Sequence, residues 1–143
     1  MRARANPGSE SALDRMSILL ADDHADFLAT AVRYLEPHFD VVKTVADGQA
    51  LLEQAARLGP DIVVLDISMP VLNGIEAARR LKADGSPARI VFLTMHADPD
   101  YVRAALAAGA LGYVIKSRLA SDLLPSIREA LAGRPFVSPS ISL

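Results

Sequence analysis

Four of the five short apolar runs in this sequence end in a side chain able to take part in chemistry. Residues 18–21 are followed by Asp22-Asp23, residues 62–65 by Asp66, residues 90–93 by Thr94 and residues 113–115 by Lys116. Carboxylates gathered in one place repel, since two unit charges ~4 Å apart cost about 4 kcal/mol at an effective dielectric near 20. A pocket that keeps Asp22, Asp23 and Asp66 ionised therefore needs a cation. All-oxygen ligation with positions left to water suits Mg²⁺ or Mn²⁺ better than Zn²⁺. Lys116 adds an ammonium able to pair with Asp66 or with a phosphoryl oxygen, and Thr94 adds a hydroxyl donor. A carboxylate nucleophile, a metal, an ammonium and a hydroxyl suit phosphoryl transfer, which depends on positioning and charge neutralisation more than on a strong base.

The elements that must bring these groups together are legible in the hydrophobic pattern. The runs at 18–21, 41–45, 62–65, 90–93 and 113–115 are near-continuous and rich in β-branched residues, the pattern of strands covered on both faces. Between them lie stretches of helical spacing. Phe27, Leu28, Ala31, Val32 and Leu35 form one stripe, ended by Pro37. Leu51, Leu52, Ala55 and Leu58 form another, opened by Asp47 and closed by Gly59-Pro60. Ile75, Ala78 and Leu81 follow Asn73 as cap, with Glu76 three residues on. Val102, Ala105 and Leu106 follow Asp98 and Pro99 and stop at Gly109. Leu123, Leu124, Ile127, Ala130 and Leu131 complete the set, with Ser121 expected as cap, Gly133 as stop and Pro125 placed in the first turn. Alternating strands and helices predict an α/β fold with a parallel sheet. In a five-stranded sheet of flavodoxin-like order 2-1-3-4-5, with helices on both faces, the C-terminal strand ends share one edge. Ligands bind there, where the strand order reverses, and Asp22, Asp23 and Asp66 would converge.

Composition bounds the rest. The chain has 143 residues, 51% apolar and 22% charged, and carries no cysteine, which fits one globular domain without disulfides or thiolate metal sites. No apolar run approaches the roughly 18 residues of a membrane span, so no membrane partner is expected and the cytoplasm is favoured. Residues 1–15 read as a polar, disordered arm with no secretory signal, residues 16–133 as the domain, and residues 134–143 as an exit linker. The formal net charge of −2 does not predict a duplex-binding surface within this segment.

Each side chain also has a plainer reading. Asp22-Asp23 could end a strand in solvent, Lys116 could snorkel, and Thr94 could serve only as a β-former. Asp66 directly after Val-Val-Leu is partly desolvated and needs partners, which weakens a surface role. Tyr113 could be a half-buried packing residue with a wet hydroxyl. His24 and His96 lack ligand spacing and are taken as lining the site, with Met95 narrowing access to Asp66.

The segments 18–24 (Ile-Leu-Leu-Ala-Asp-Asp-His), 61–70 (Asp-Ile-Val-Val-Leu-Asp-Ile-Ser-Met-Pro) with Asn73-Gly74, 93–96 (Leu-Thr-Met-His) and 112–117 (Gly-Tyr-Val-Ile-Lys-Ser) resemble, in this order and spacing, the receiver domain of bacterial two-component response regulators. The resemblance covers roughly residues 17–133. It implies that Asp66 accepts a phosphoryl group from a sensor histidine kinase, that Asp22, Asp23, Asp66 and the Ser68 backbone carbonyl hold Mg²⁺, and that Lys116 contacts the phosphoryl group. It further implies that Thr94 moves toward that group and Tyr113 rotates inward. Asp-Asp-His, Thr-Met-His, Gly-Tyr-Val-Ile-Lys-Ser and the closing Gly-Arg-Pro-Phe-Val-Ser-Pro are similar to the NarL/LuxR type. There a helix-turn-helix domain follows such a linker, DNA is met only through it, and phosphorylation can favour a homodimer. Many receivers have Pro after the lysine, where this chain has Ser117.

Two other function classes compete with a switch that only phosphorylates and slowly dephosphorylates itself. An aspartate-nucleophile phosphatase would want an acid two residues after the nucleophile, where Ser68 stands. A flavin carrier would want a phosphate-cradling loop where Asp22-Asp23 stands. Within the switch reading, a transcription-factor receiver and a stand-alone receiver both remain open.

Overall fold

The Ile-Val-Val-Leu run is buried on both faces, as its unbroken hydrophobicity predicts, and forms the centre of a sheet. The computed structural model describes residues 15–141. The expected N-terminal arm therefore lies outside the described residues except for Arg15, whose guanidinium donates to the carbonyls of Glu36 and Phe39. Strands β1 (Ser17–Ala21), β2 (Asp40–Val45), β3 (Ile62–Leu65), β4 (Arg89–Thr94), β5 (Gly112–Ile115) and β6 (Phe136–Val137) pair in the order β2-β1-β3-β4-β5-β6, all parallel. The helices between them are α1 (Ala25–Leu35), α2 (Gly48–Leu58), α3 (Gly74–Ala83), α4 (Pro99–Ala107) and α5 (Leu119–Leu131).

The expected five-stranded sheet becomes six-stranded. Two residues of the expected exit segment, Phe136 and Val137, are too few to show a strand period, yet they pair with Gly112 and Tyr113 along the open edge of β5. The expected 2-1-3-4-5 order is retained within the longer one.

Period-two alternation divides the core between the two faces. Leu19, Val63 and Phe92 point toward α2, α3 and α4, where Leu51, Ala78 and Val102 meet them. Ile18, Leu20, Val64 and Val91 point toward α1 and α5, where Leu35, Leu123 and Ile127 meet them. Each fully buried Leu or Ile contributes roughly 1.5–3 kcal/mol. Both helical layers are needed because neither face of β3 reaches water.

Local chemistry starts and stops the helices largely as the pattern predicts. Asp47 accepts from the Ala50 amide, Asn73 from Glu76 and Asp98 from Asp100, each satisfying an otherwise orphan first-turn donor. α5 departs from expectation. It begins at Leu119, directly after a 3₁₀ turn at Lys116–Arg118, and no side chain caps it. Ser121 is thus its third residue and Pro125 lies in its second turn, because the tight turn feeds the helix without the extended residue that a Ser cap needs. Ser117 lies inside that turn, and there is no cis peptide among the described residues. Among the same residues no helix is long and apolar enough to cross a membrane.

Candidate functional site

The strand order reverses at β1, which pairs with β2 on one side and β3 on the other, so the C-terminal ends of β1 and β3 open the crevice. Ala21 pairs with Leu65, and the Asp66 amide donates to the Ala21 carbonyl at 3.1 Å, which brings the residues after these strands together. Backbone approaches closely here. A Cβ on Gly74 would lie 1.9 Å from the Asp66 carbonyl oxygen, so only glycine lets α3 start against the loop after β3.

Lys116 is the centre of the cluster. Its Nζ lies 2.7 Å from Asp22 Oδ2 and 2.9 Å from Asp66 Oδ2, and 4.4 Å from the centroid of the Phe27 ring. Asp22, Asp66 and Lys116 are all nearly out of contact with water, at 4%, 3% and 4% exposure. Burial pulls the Lys116 ammonium toward deprotonation, but its hydrogen bonds to Asp22 and Asp66, and their charges, outweigh this and hold it above the ordinary lysine range. It therefore stays a cation. The remaining Asp22 oxygen accepts from the His24 amide at 2.9 Å, and the remaining Asp66 oxygen from the Ile67 amide at 2.6 Å.

One ammonium does not neutralise three carboxylates. Asp22, Asp23, His24 and Asp66 each present a ligand atom, all within 4.8 Å of one another. Asp23 and His24 face water, so a bound ion could keep part of its hydration shell. The donor set is thus chemically fit for a hard divalent cation.

Thr94 and Tyr113 stand one step back. Thr94 is fully buried at the end of β4, its Oγ1 accepting from the His96 amide at 3.4 Å. Tyr113 is also fully buried and donates its phenol to the His96 carbonyl at 2.6 Å. Burial first, then the negative field of Asp66, pushes that phenol far above the ordinary tyrosine range. The Tyr113 ring lies inside the fold in this structure. Ser68, on the loop after β3, joins its hydroxyl to His96 Nε2 at 2.7 Å, and the His96 ring lies 4.3 Å from that of Tyr101. Met95 is 70% exposed at the rim.

Of the residues expected from the sequence, Asp22, Asp23, Asp66 and Lys116 form one cluster, while Thr94 and Tyr113 meet each other at the His96 backbone. Sequence reasoning missed Phe27, whose helical spacing marked it as core although its ring faces the Lys116 ammonium. It also missed a second buried polar group at the far side of β5. There Asp122 Oδ2 accepts from Ser138 Oγ at 2.8 Å, and no spacing rule connects those two positions.

The chain is similar to known response regulators. The chain is 32% identical over 131 residues to the transcriptional regulatory protein DegU of Brevibacillus brevis, covering 90% of this chain and 56% of that protein. It is 35% identical over 129 residues to the nitrate/nitrite response regulator protein NarL of Escherichia coli K12, covering 88% of this chain and 59% of that protein. It thus spans less than two thirds of the curated relatives it matches. A two-component response regulator of the LuxR family from Aurantimonas sp. SI85-9A1 superposes with a TM-score of 0.84 at 37% identity, covering 89% of this chain and 92% of that one. Residues 18–128, most of the chain, match the model of the response regulator receiver domain, and the chain belongs to that family.

Proposed function

We propose that this chain is the phosphorylation-switched receiver of a NarL/LuxR-type transcriptional regulator, with Asp66 as phosphoacceptor. The observation that carries the reading is the bracketing of Lys116 by Asp22 and Asp66, at 2.7 and 2.9 Å, where the strand order reverses. A sensor histidine kinase would supply the phosphoryl group. An Asp66 carboxylate oxygen forms the new bond to phosphorus as the bond from phosphorus to the donor imidazole breaks, and the electron pair leaves with the imidazole. Asp22, Asp23, Asp66 and the Ser68 carbonyl would hold Mg²⁺, or Mn²⁺, and the chemistry such an ion supplies is neutralisation of charge on the phosphoryl oxygens. Lys116 turns from the bare carboxylate to the phosphoryl oxygens, keeping its charge beside theirs. The Ile67 amide fixes the acceptor's rotamer.

The switch follows from added charge. Phosphorylation brings roughly −1.5 to −2 charge and new acceptor oxygens to Asp66. The Thr94 hydroxyl turns toward them and draws the segment to His96 along. Tyr113 is already inside, so its bond to the His96 carbonyl transmits that movement rather than starting it. The altered surface favours a homodimer, and DNA is contacted through a helix-turn-helix domain rather than by residues 15–141. The protein acts in the cytoplasm and turns over no external substrate. Ser68 offers no leaving-group acid of the kind a phosphatase needs, since its hydroxyl is engaged with His96.

Incubation with acetyl phosphate and Mg²⁺ is expected to add the mass of one phosphoryl group, and chelation of the metal to prevent it. Asp66→Asn is expected to abolish the gain. A gain that persists in Asp66→Asn assigns the acceptor elsewhere and overturns the proposal.

A further inference from the structure

We infer that the buried Asp122–Ser138 pair is a positioning device for Lys116, coupling the chemistry at Asp66 to the path of the chain beyond β6. The inference rests on Asp66 being the acceptor. Ser138 is fully buried and Asp122 is 5% exposed, and their hydrogen bonds run to Ile115, Tyr113 and Ser121 rather than to Asp22, Asp66 or Lys116. The Ile115 amide donates to Ser138 Oγ at 3.1 Å, and that hydroxyl donates to Asp122 Oδ2 at 2.8 Å. The Ser138 amide in turn donates to the Tyr113 carbonyl at 2.9 Å. The donor and an acceptor site of the hydroxyl are both used, which fixes its rotamer. The next residue after Ile115 is Lys116.

The same carboxylate grips the far side of the turn that carries Lys116. Arg118 Nε lies 3.5 Å from Asp122 Oδ2, and Ser121 Oγ donates to Asp122 Oδ1 at 3.0 Å. The turn is thus clasped before Lys116 through Ser138 and after it through Arg118. A buried carboxylate is an expensive way to fasten a strand edge, because apolar packing of the same volume holds as well or better. What the polar pair adds is direction: it defines one position for the Ile115 amide and hence for the root of the lysine. Because the pair joins β5 to β6, the coupling runs both ways. A shift of Lys116 onto a phosphoryl group strains the clasp, and release of the strand after Arg134 slackens Lys116.

The test uses the whole chain with acetyl phosphate and Mg²⁺, following phosphoryl mass gain and amide exchange. Ser138→Ala is expected to lower the maximal phosphorylation rate by about fivefold, with the half-saturating acetyl phosphate concentration unchanged. Ser138→Thr, which keeps the hydroxyl, is expected to restore most of the rate. In the wild-type chain, phosphorylation is expected to change exchange at residues 136–138. A wild-type rate in Ser138→Ala, or exchange at 136–138 indifferent to phosphorylation, overturns the coupling while leaving the receiver reading intact. A wild-type chain that gains no phosphoryl group sinks that reading instead. The coupling is then decided by Lys116→Ala, which is expected to raise exchange at 136–138 and overturns the coupling if exchange there is unchanged.

Discussion

Two buried carboxylate clusters flank the end of β5, and they are built on opposite principles. Around Asp66, two buried carboxylates share one ammonium, and the exposed Asp23 and His24 beside them keep the group open to solvent. Around Asp122, a single carboxylate accepts from Ser121 and Ser138 and lies beside Arg118, so its charge and lone pairs are met locally. The first cluster is short of positive charge and gains from taking up a cation or changing its own charge. The second is complete, and any change to it is a loss. Near-total burial of an acid therefore does not identify function by itself. The balance of charge around it does.

The sharpest way to break this contrast is to remove the shared cation. Lys116→Met leaves Asp22 and Asp66 buried against each other and is expected to cost on the order of 3 kcal/mol in metal-free buffer. Mg²⁺ binding only the folded chain is expected to return part of that loss. Urea unfolding with and without Mg²⁺ measures both. A midpoint unchanged by the substitution would mean that the cluster is not short of positive charge. The second comparison sets one acid against the other. Asp122→Ala strands the Ser138 hydroxyl and is expected to cost about 2 kcal/mol. Asp66→Asn relieves repulsion while Lys116 keeps Asp22, and is expected to raise stability by roughly 1 kcal/mol in metal-free buffer. Equal losses from the two would erase the distinction.

That the two clusters differ also explains what was legible in the sequence. Asp22, Asp66, Thr94 and Lys116 each follow an apolar strand run directly, and parallel-sheet topology converts that shared position into a shared edge. The cluster could be read because its members sit at equivalent places in repeated units. Asp122 and Ser138 do not: one lies in a helix turn, the other after a two-residue strand too short for periodicity to show. The same lack of signal hid β6 and placed the start of α5 too late, since a 3₁₀ turn carries no cap residue to find. Phe27 was visible only as core, because helical spacing records which side faces inward and not which charge waits there.

Tyr113 is held at both ends, its carbonyl accepting from Ser138 and its phenol donating to the His96 carbonyl. Tyr113→Phe removes only the second of these bonds and is expected to cost about 1 kcal/mol at neutral pH. The phenol is raised in the folded chain, so its contribution is complete below the unfolded value near ~10 and is lost as pH rises from there toward the folded one. The stability gap between wild type and Tyr113→Phe is therefore expected to shrink above pH ~10, when measured by urea unfolding in parallel. A gap that widens there would place the tyrosinate in a favourable environment and contradict the negative field of Asp66.

The smallest effect tests whether the backbone shows the same division. Leading to Ser138, the chain turns through Gly133 at φ 78°, a conformation that glycine adopts without strain. Leading away from Asp66, it turns through Val71 at φ 70°, with the Leu72 amide donating to the Pro70 carbonyl at 2.7 Å in a γ-turn. A β-branched residue there costs about 1–2 kcal/mol, and Val71 is 80% exposed, so little burial offsets the strain. Val71→Gly is expected to gain on the order of 0.5 kcal/mol, the relief of strain being partly cancelled by the freer unfolded chain. Gly133→Ala is expected to lose about 1 kcal/mol, because an L side chain must then hold a positive φ. Opposite signs by urea unfolding would show that the open cluster is bordered by stored strain and the closed one is not. A loss in Val71→Gly would instead mean that the valine side chain holds the loop after Asp66 in place.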